Sequence, residues 1–306
     1  MAPAPSPPIR GLFRAVVADA ESLCREHFRI TFHMPEFPAA EPGQFVQVGC
    51  ARLASAGGHS GESAAGSRDG APLLRRPFSI AGLRRERNRV ALDLIGRVVG
   101  PGTRFLSHLQ PGDAIDLIGP LGRPFPPLDA FARVILVAGG VGLPPLLWLA
   151  ERLHATGRAA LAICGARSGD LLPLKLSAEP SPRGEPALVA PAFAACNTPL
   201  IVTTDDGSLG LRGTVVTALE GLARGGEVLR NAAVCTCGPE AMMRGVAALC
   251  AAHGMACYAC LERVMACGMG TCQSCVVKVH AGAPPGFAYD LCCTQGPVFD
   301  ATRIIW

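Results

Sequence analysis

The run Val134-Ile-Leu-Val-Ala-Gly-Gly140-Val-Gly-Leu-Pro-Pro145 decides the fold. Five apolar residues, 134–138, read as a buried strand. Glycines follow at 139, 140 and 142, and a proline-led apolar segment then runs as a helix to about His154. Glycines in that turn let a dinucleotide approach the backbone closely, although GGVG is shorter than the full six-residue fingerprint. They also interrupt the longest apolar run of the chain, Val134–Ala150, which is therefore a strand–turn–helix and not a bilayer span. Downstream the rhythm repeats. Strands are expected at 159–164, 199–204 and 232–236, with helices at 214–223 and 239–252, the last stopping at Gly254. A proline-rich irregular stretch fills 173–198. Strands alternating with helices give a parallel α/β sheet.

Two more segments fall at the carboxyl edge of that sheet, where open α/β sheets bind ligands. Cys237-Gly238-Pro239 ends the last strand, and a free cysteine there is equally a small core residue. Thr204-Asp205-Asp206-Gly207-Ser208 ends another strand, as a ribose contact or as an Asx-type turn.

Upstream of Arg133 the pattern is different. Short β runs at 12–18, 27–34, 44–48, 77–81, 90–98 and 114–118 alternate with Gly/Pro turns, which indicates a β-barrel or sandwich. Residues 1–10 are a Pro/Ala/Ser tail, and 51–72 form an Ala/Gly/Ser-rich loop insertion. Arg76-Pro77-Phe78-Ser79 opens one strand with a guanidinium fork suited to pyrophosphate and a hydroxyl suited to a ring heteroatom. Gly100-Pro101-Gly102-Thr103 feeds a short helix reaching His108, a turn that suits an anion or simply carries an N-cap.

The C-terminus holds Cys267-Gly-Met-Gly-Thr-Cys272-Gln-Ser-Cys275, with Cys292 and Cys293 beyond. C-x4-C-x2-C followed by a distant thiol is the ligand run of a plant-type 2Fe–2S centre. Gly268 and Gly270 supply the backbone freedom needed to turn N–H groups toward sulfur. Structural zinc is the competing reading, since Cys257/Cys260 and Cys272/Cys275 form two C-x2-C knuckles. Their separation is short for zinc, and that arrangement leaves Cys267, Cys292 and Cys293 unused.

The chain has 306 residues, 17% charged and 49% hydrophobic, with formal charge +4 and no Lys/Arg run longer than a pair. That is globular material of two or three domains without the electrostatic footprint of a nucleic-acid binder. The start, MAPAPSPPIR, has neither basic nor apolar signal regions. With no export signal, the fourteen cysteines read as reduced thiols or cluster ligands in a cytoplasmic protein, with no membrane association.

Taken together, LLRRPFSI (73–80), GRVVGPGTRFLSHLQPGDAIDLIGPLG (96–122), VAGGVGLPPLL (137–147), TDDGS (204–208), CGPEAMM (237–243), MACGMGTCQSCVVKV (265–279) and CCTQGPVFDA (292–301) resemble the electron-transfer subunits of NAD-dependent (class B) dihydroorotate dehydrogenases. These belong to the ferredoxin–NAD(P) reductase superfamily. The resemblance implies a multi-domain β plus α/β fold. An FAD-binding antiparallel barrel would span 11–126, a parallel-sheet NAD-type domain 127–255, and a small 2Fe–2S domain 256–306. It assigns Arg76, Pro77, Phe78, Ser79, Ile95, Gly96, Arg97, Gly102 and Thr103 to FAD, and Gly139, Gly140, Gly142, Cys237 and Gly238 to the nicotinamide nucleotide. Cys267, Cys272, Cys275 and Cys293 become the metal ligands, with Cys292 the adjacent competitor. This sequence departs from the family at Gly96, often aromatic there, at Pro101, where the family has lysine, and at Gln295, where it has aspartate.

The implied function is an oxidoreductase subunit of pyrimidine biosynthesis. Electrons would pass from an FMN-containing dihydroorotate dehydrogenase catalytic subunit, in a two-plus-two heterotetramer, through the cluster and FAD to NAD+. The alternatives are a reductase subunit of a sulfide dehydrogenase, bifurcating transhydrogenase or sulfite reductase type, and a non-enzymatic scaffold holding zinc.

Overall fold

The computed structural model describes residues 10–53, 72–224 and 231–306. The N-terminal tail through residue 9 and most of the expected loop insertion, 54–71, lie outside the described residues.

Six antiparallel strands close a barrel: β1 (Gly11–Cys24), β2 (His27–Met34), β3 (Phe45–Val48), β4 (Arg76–Glu86), β5 (Arg89–Arg97) and β6 (Ala114–Leu121), in the order β1-β2-β5-β4-β3-β6. Closure leaves no unpaired edge. Alternation supplies the core. Phe28, Ile30, Phe32 and Met34 of β2 pack with Leu92 and Leu94 of β5, and Leu106 and Leu109, in and just beyond helix α1 (Pro101–Ser107), join the same cluster. Strand β4 runs five residues past the expected end at Ala81. Its far end, Leu83–Glu86, is paired with β5 but carries Arg84, Arg85 and Glu86, so no apolar alternation marks it.

The second body is a seven-stranded sheet in the order β10-β9-β8-β7-β11-β12-β15. Its strands are β7 (Arg133–Gly139), β8 (Ala160–Ala166), β9 (Leu200–Thr204), β10 (Leu211–Arg212), β11 (Ala232–Cys237), β12 (Ala256–Cys260) and β15 (Val298–Asp300). All pairings are parallel except β12 with β15. Val134, Leu136 and Ala138 of β7 face helix α2 (Leu143–Ala155), while Ile135 and Val137 face α4 (Val215–Arg224) and α5 (Glu240–Ala252). Both sides of the strand are covered, which is why 134–138 reads as an unbroken apolar run.

Two expectations change here. The stretch 173–198 contains a one-turn helix α3 (Pro191–Ala194). Its Val189, Ala190 and Phe193 are core residues, and Ala187 bridges Leu200 of β9. Prolines space those apolar residues irregularly, so no periodicity announces their burial. The expected boundary at 255/256 falls inside the sheet, because β12 continues it directly beside β11. The C-terminal segment adds only one sheet of its own, the hairpin β13 (Val276–His280) and β14 (Phe287–Leu291). Its core is shared: Phe45 and Leu121 of the barrel, Met243 of α5 and Ala259 of β12 pack with Met265, Cys275, Val277, Cys292, Cys293 and Phe299. Among the described residues, no helix is long and apolar enough to cross a membrane.

Candidate cofactor sites

The cysteine loop wraps back on itself. Gly268 and Gly270 have φ of +72° and +92°, as the loop's small residues predict, and Gln273 also takes a positive φ of +56°, which the sequence did not announce. The turned backbone aims N–H groups at sulfur. Met269 N and Cys272 N each donate to Cys267 Sγ at 3.4 Å, and Cys293 N donates to Cys275 Sγ at 3.4 Å. The Cys293 thiol faces the Cys275 thiol and the Gly270 N–H. Burial pushes it up to about 12, aided by the bond with Cys275. The adjacent Cys292 thiol points elsewhere, donating to the Leu261 carbonyl at 3.5 Å. Cys272 is the exposed member; Ser274, whose hydroxyl lies 3.2 Å from its sulfur, and neighbouring N–H groups draw its thiol down to about 6. N–H groups aimed at sulfur favour thiolate over thiol, which fits a metal–sulfur centre. The alternative zinc knuckle does not assemble. Cys257 and Cys260 sit on β12, in register with Val234 and Cys237 of β11, and are core residues.

The tetrapeptide Arg76–Ser79 begins β4 and touches two environments, because side chains alternate along a strand. The guanidinium of Arg76 lies across Gly102, where a Cβ would stand 2.7 Å from its Nε, and Nη1 donates to the Leu74 carbonyl at 2.7 Å. The ring of Phe78 packs 6.4 Å from that of Phe28, and both lie over Gly96, where a Cβ would be 2.5 Å from Phe78. An aromatic side chain at 96 has no room, so these two rings fill its place. On the other side, Ser79 is in register with Phe45 and Pro77 with Gln47, two residues of β3 whose side chains meet the C-terminal segment. Ile95 is buried, Arg97 is held by Glu26 at 2.8 Å, and the Thr103 hydroxyl accepts from Val99 N and Gly100 N, capping its own turn.

A cavity of about 600 Å³ lies at the carboxyl edge of the parallel strands. It is bounded by Gly139 and Gly140 after β7, Gly165–Arg167 after β8, Thr203 and Asp205 after β9, Thr214–Val216 entering α4, and Pro239, Ala241 and Met242 entering α5. The chain reverses direction across the sheet between β7 and β11, so this is the topological switch point. His27 and Arg97 reach it from the barrel. Gly140, at φ +51°, has open space where a side chain would stand, whereas a Cβ at Gly142 would lie 2.2 Å from the Cys237 carbonyl. Gly142 is therefore a packing glycine and Gly140 an open one. Gly238 takes φ +151°. Cys237 does not line the cavity. Cys237 is 1% exposed, and its thiol bonds that of Cys260, which, with burial, pushes it up.

Among the described residues, four buried side-chain atoms have no partner: His27 Nε2, Thr203 Oγ1, and both Nε2 and Oε1 of Gln47. The first two belong to residues lining the cavity, and the Gln47 amide abuts the cysteine loop. Such atoms are costly unless something answers them, so they mark places built for bound groups. Sequence reading missed all three residues. The available signal was Gln47, the one polar residue in the buried run FVQV.

Fold and sites define an oxidoreductase of the ferredoxin-reductase kind carrying a C-terminal iron–sulfur domain. Residues 262–305 match the iron–sulfur cluster binding domain of dihydroorotate dehydrogenase B. The dihydroorotate dehydrogenase B (NAD(+)) electron transfer subunit of Desulforamulus reducens is 33% identical over 96% of this chain and 98% of its own length. That of Streptococcus pneumoniae R6 is 36% identical over 78% and 83%. The chain belongs to this family of electron transfer subunits. Among solved structures, the NADH-dependent reduced ferredoxin-NADP oxidoreductase, studied for flavin-based electron bifurcation, superposes with TM-score 0.72 at 27% identity, covering 95% of this chain and 90% of that one. Phthalate dioxygenase reductase shares the fold, with TM-score 0.55 at 19% identity over 96% and 78%.

Proposed function

We propose that this chain carries FAD and a 2Fe–2S cluster and relays electrons from an FMN-containing dihydroorotate dehydrogenase catalytic subunit to NAD+, in the cytoplasm and within a two-plus-two assembly. The observation that carries the reading is the register of β3 and β4. The Arg76–Ser79 strand and the strand supporting the cysteine loop are direct neighbours, about 4.8 Å apart, with the switch-point cavity adjoining the same barrel. FAD held there would collect the cluster's single electrons into the pair that a hydride transfer to NAD+ requires.

Cys267, Cys272, Cys275 and Cys293 hold the cluster; Cys292, bonded to the Leu261 carbonyl, is a core residue. Arg76, over Gly102, meets the flavin pyrophosphate, and Phe78 and Ser79 border the ring. Ile95, Gly96, Arg97 and Thr103 frame that site. Gly139, Gly140 and Gly238 admit the nucleotide backbone, and His27, Thr203 and Asp205 offer it polar contacts from the cavity wall. Cys272, Met269 and Val264 are exposed around the loop and form the face offered to the FMN subunit.

Reconstitution with a candidate FMN subunit is the test. Dihydroorotate-dependent NAD+ reduction is expected, and its absence from a complex containing both flavins, iron and sulfide sinks the reading. The 27% identical oxidoreductase keeps another partner in view, and the same reconstitution decides between them.

A further inference from the structure

Among the described residues, Gln47 is the one whose two side-chain polar atoms are both buried and unpartnered. It is 0% exposed, and neither end of its amide has a partner. It projects from β3 on the same side as Phe45, toward the C-terminal segment and away from the barrel core that takes Val46 and Val48. It ends on the backbone of the cysteine loop. A side chain at Gly268 would stand 2.7 Å from Gln47 Nε2 and 2.8 Å from its Cγ, so the loop's lack of a Cβ there, at φ +72°, makes room for this amide. Across the strand pair Gln47 is in register with Pro77 of the flavin motif. One buried amide therefore lies between the strand that borders the flavin and the loop that carries the thiols.

A strand position buried on this face does not require an amide. Phe45, on the same face, shows that an apolar residue serves the packing. A donor with no protein acceptor, set against a loop whose sulfurs already receive N–H groups from Met269, Cys272 and Cys293, has one suitable acceptor class nearby: sulfur bearing negative charge. We infer that the Gln47 side-chain amide donates a hydrogen bond to a sulfur of the cluster site, and thereby raises the reduction potential of the centre held there. The sign follows from charge. Reduction adds an electron to the cluster, and a donor facing sulfur stabilises the more negative state. Gln47 is a positioning and tuning residue in this role; it takes no part in bond making. The inference rests on the proposed 2Fe–2S reading.

The experiment is a redox titration of the purified holoprotein, followed by EPR for the cluster and by visible absorption for the flavin. It compares the wild type with Gln47→Met and Gln47→Leu. Both variants remove the donor and differ in shape. With FAD, iron and sulfide contents unchanged, a downward shift of the cluster midpoint of similar size in both is expected, with the flavin midpoint unmoved. An unchanged cluster midpoint, or a shift confined to the flavin, overturns the inference. A second measurement labels the glutamine side chains with nitrogen-15 in wild type and in Gln47→Leu: pulsed EPR of the reduced cluster should show an amide-nitrogen coupling in the wild type that the variant lacks, and its absence from the wild type or its persistence in the variant overturns the inference equally. Wild-type protein that binds flavin but no iron or sulfide instead removes the parent reading, and the two failures are distinct.

Discussion

Two outer walls of the same barrel each bury a polar side chain, and they treat it in opposite ways. On the β2–β5–β4 wall, Asp93 is 2% exposed and fully served: Arg29 Nη2 and the Thr31 hydroxyl each donate at 2.7 Å, and Arg84 donates to both oxygens. Glu151 of α2 lies within reach of the same charges and is pushed up by burial. On the β3–β4 wall, Gln47 is equally buried and served by nothing. The first wall is finished by the chain alone. The second is finished only when something else is bound. The contrast separates polar residues that hold the scaffold from those that await a cofactor, and it does so without reference to any relative.

The largest effect expected from breaking this contrast is at the thiols. Cys293→Ala should abolish iron and sulfide incorporation, while Cys292→Ala should retain both, as read by metal and sulfide analysis. Next comes the finished wall. Asp93→Ala removes the shared acceptor of two arginines and should cost about 3 kcal/mol in urea unfolding. Arg76→Ala should weaken FAD binding by about 10- to 100-fold, the worth of a charge-assisted bond, measured by flavin release on dilution. On the unfinished wall the sign reverses. In protein stripped of its cluster, Gln47→Met should raise stability by about 1 kcal/mol, because the replaced amide is unpartnered.

The smallest effect is in pH. Burial pushes the Asp93 carboxyl up, but the bonds from Arg84 and Thr31 and the charge of Arg29 outweigh it, leaving it below the ordinary range. A carboxylate lowered in the folded state contributes fully above its unfolded value, about pH 4, and loses that contribution as pH falls through its folded value. Asp93→Asn should flatten stability over that acid window and leave the profile above about pH 5 parallel to the wild type.

Much of the architecture was legible because its signals are local. The strand–glycine–helix at 134–147, the turn-punctuated runs before it and the C-x4-C-x2-C spacing each carry their own mechanism. What escaped depends on contacts distant in sequence. Cys292 and Cys293 are neighbours in the chain, and only their contacts tell them apart: Cys292 turns to the Leu261 carbonyl and Cys293 to Cys275. Phe193 is core although prolines surround it, and the charged half of β4 is strand only because β5 pairs with it. His27 and Thr203 look ordinary in sequence, and Gln47 shows there only as the one polar residue of FVQV. Their lack of partners exists only in three dimensions.

The core that joins Phe45, Leu121, Met243 and Ala259 to Cys275, Cys292 and Cys293 bears on modularity. Strands β12 and β15, which bracket the cysteine loop, are members of the nucleotide-type sheet. The last fifty residues are thus not a cassette that can be cut out and grafted elsewhere. Expressed alone they would strip β12 of its neighbour β11 and leave one face of their apolar interior in water. For engineering, the iron–sulfur segment is to be handled with the whole chain.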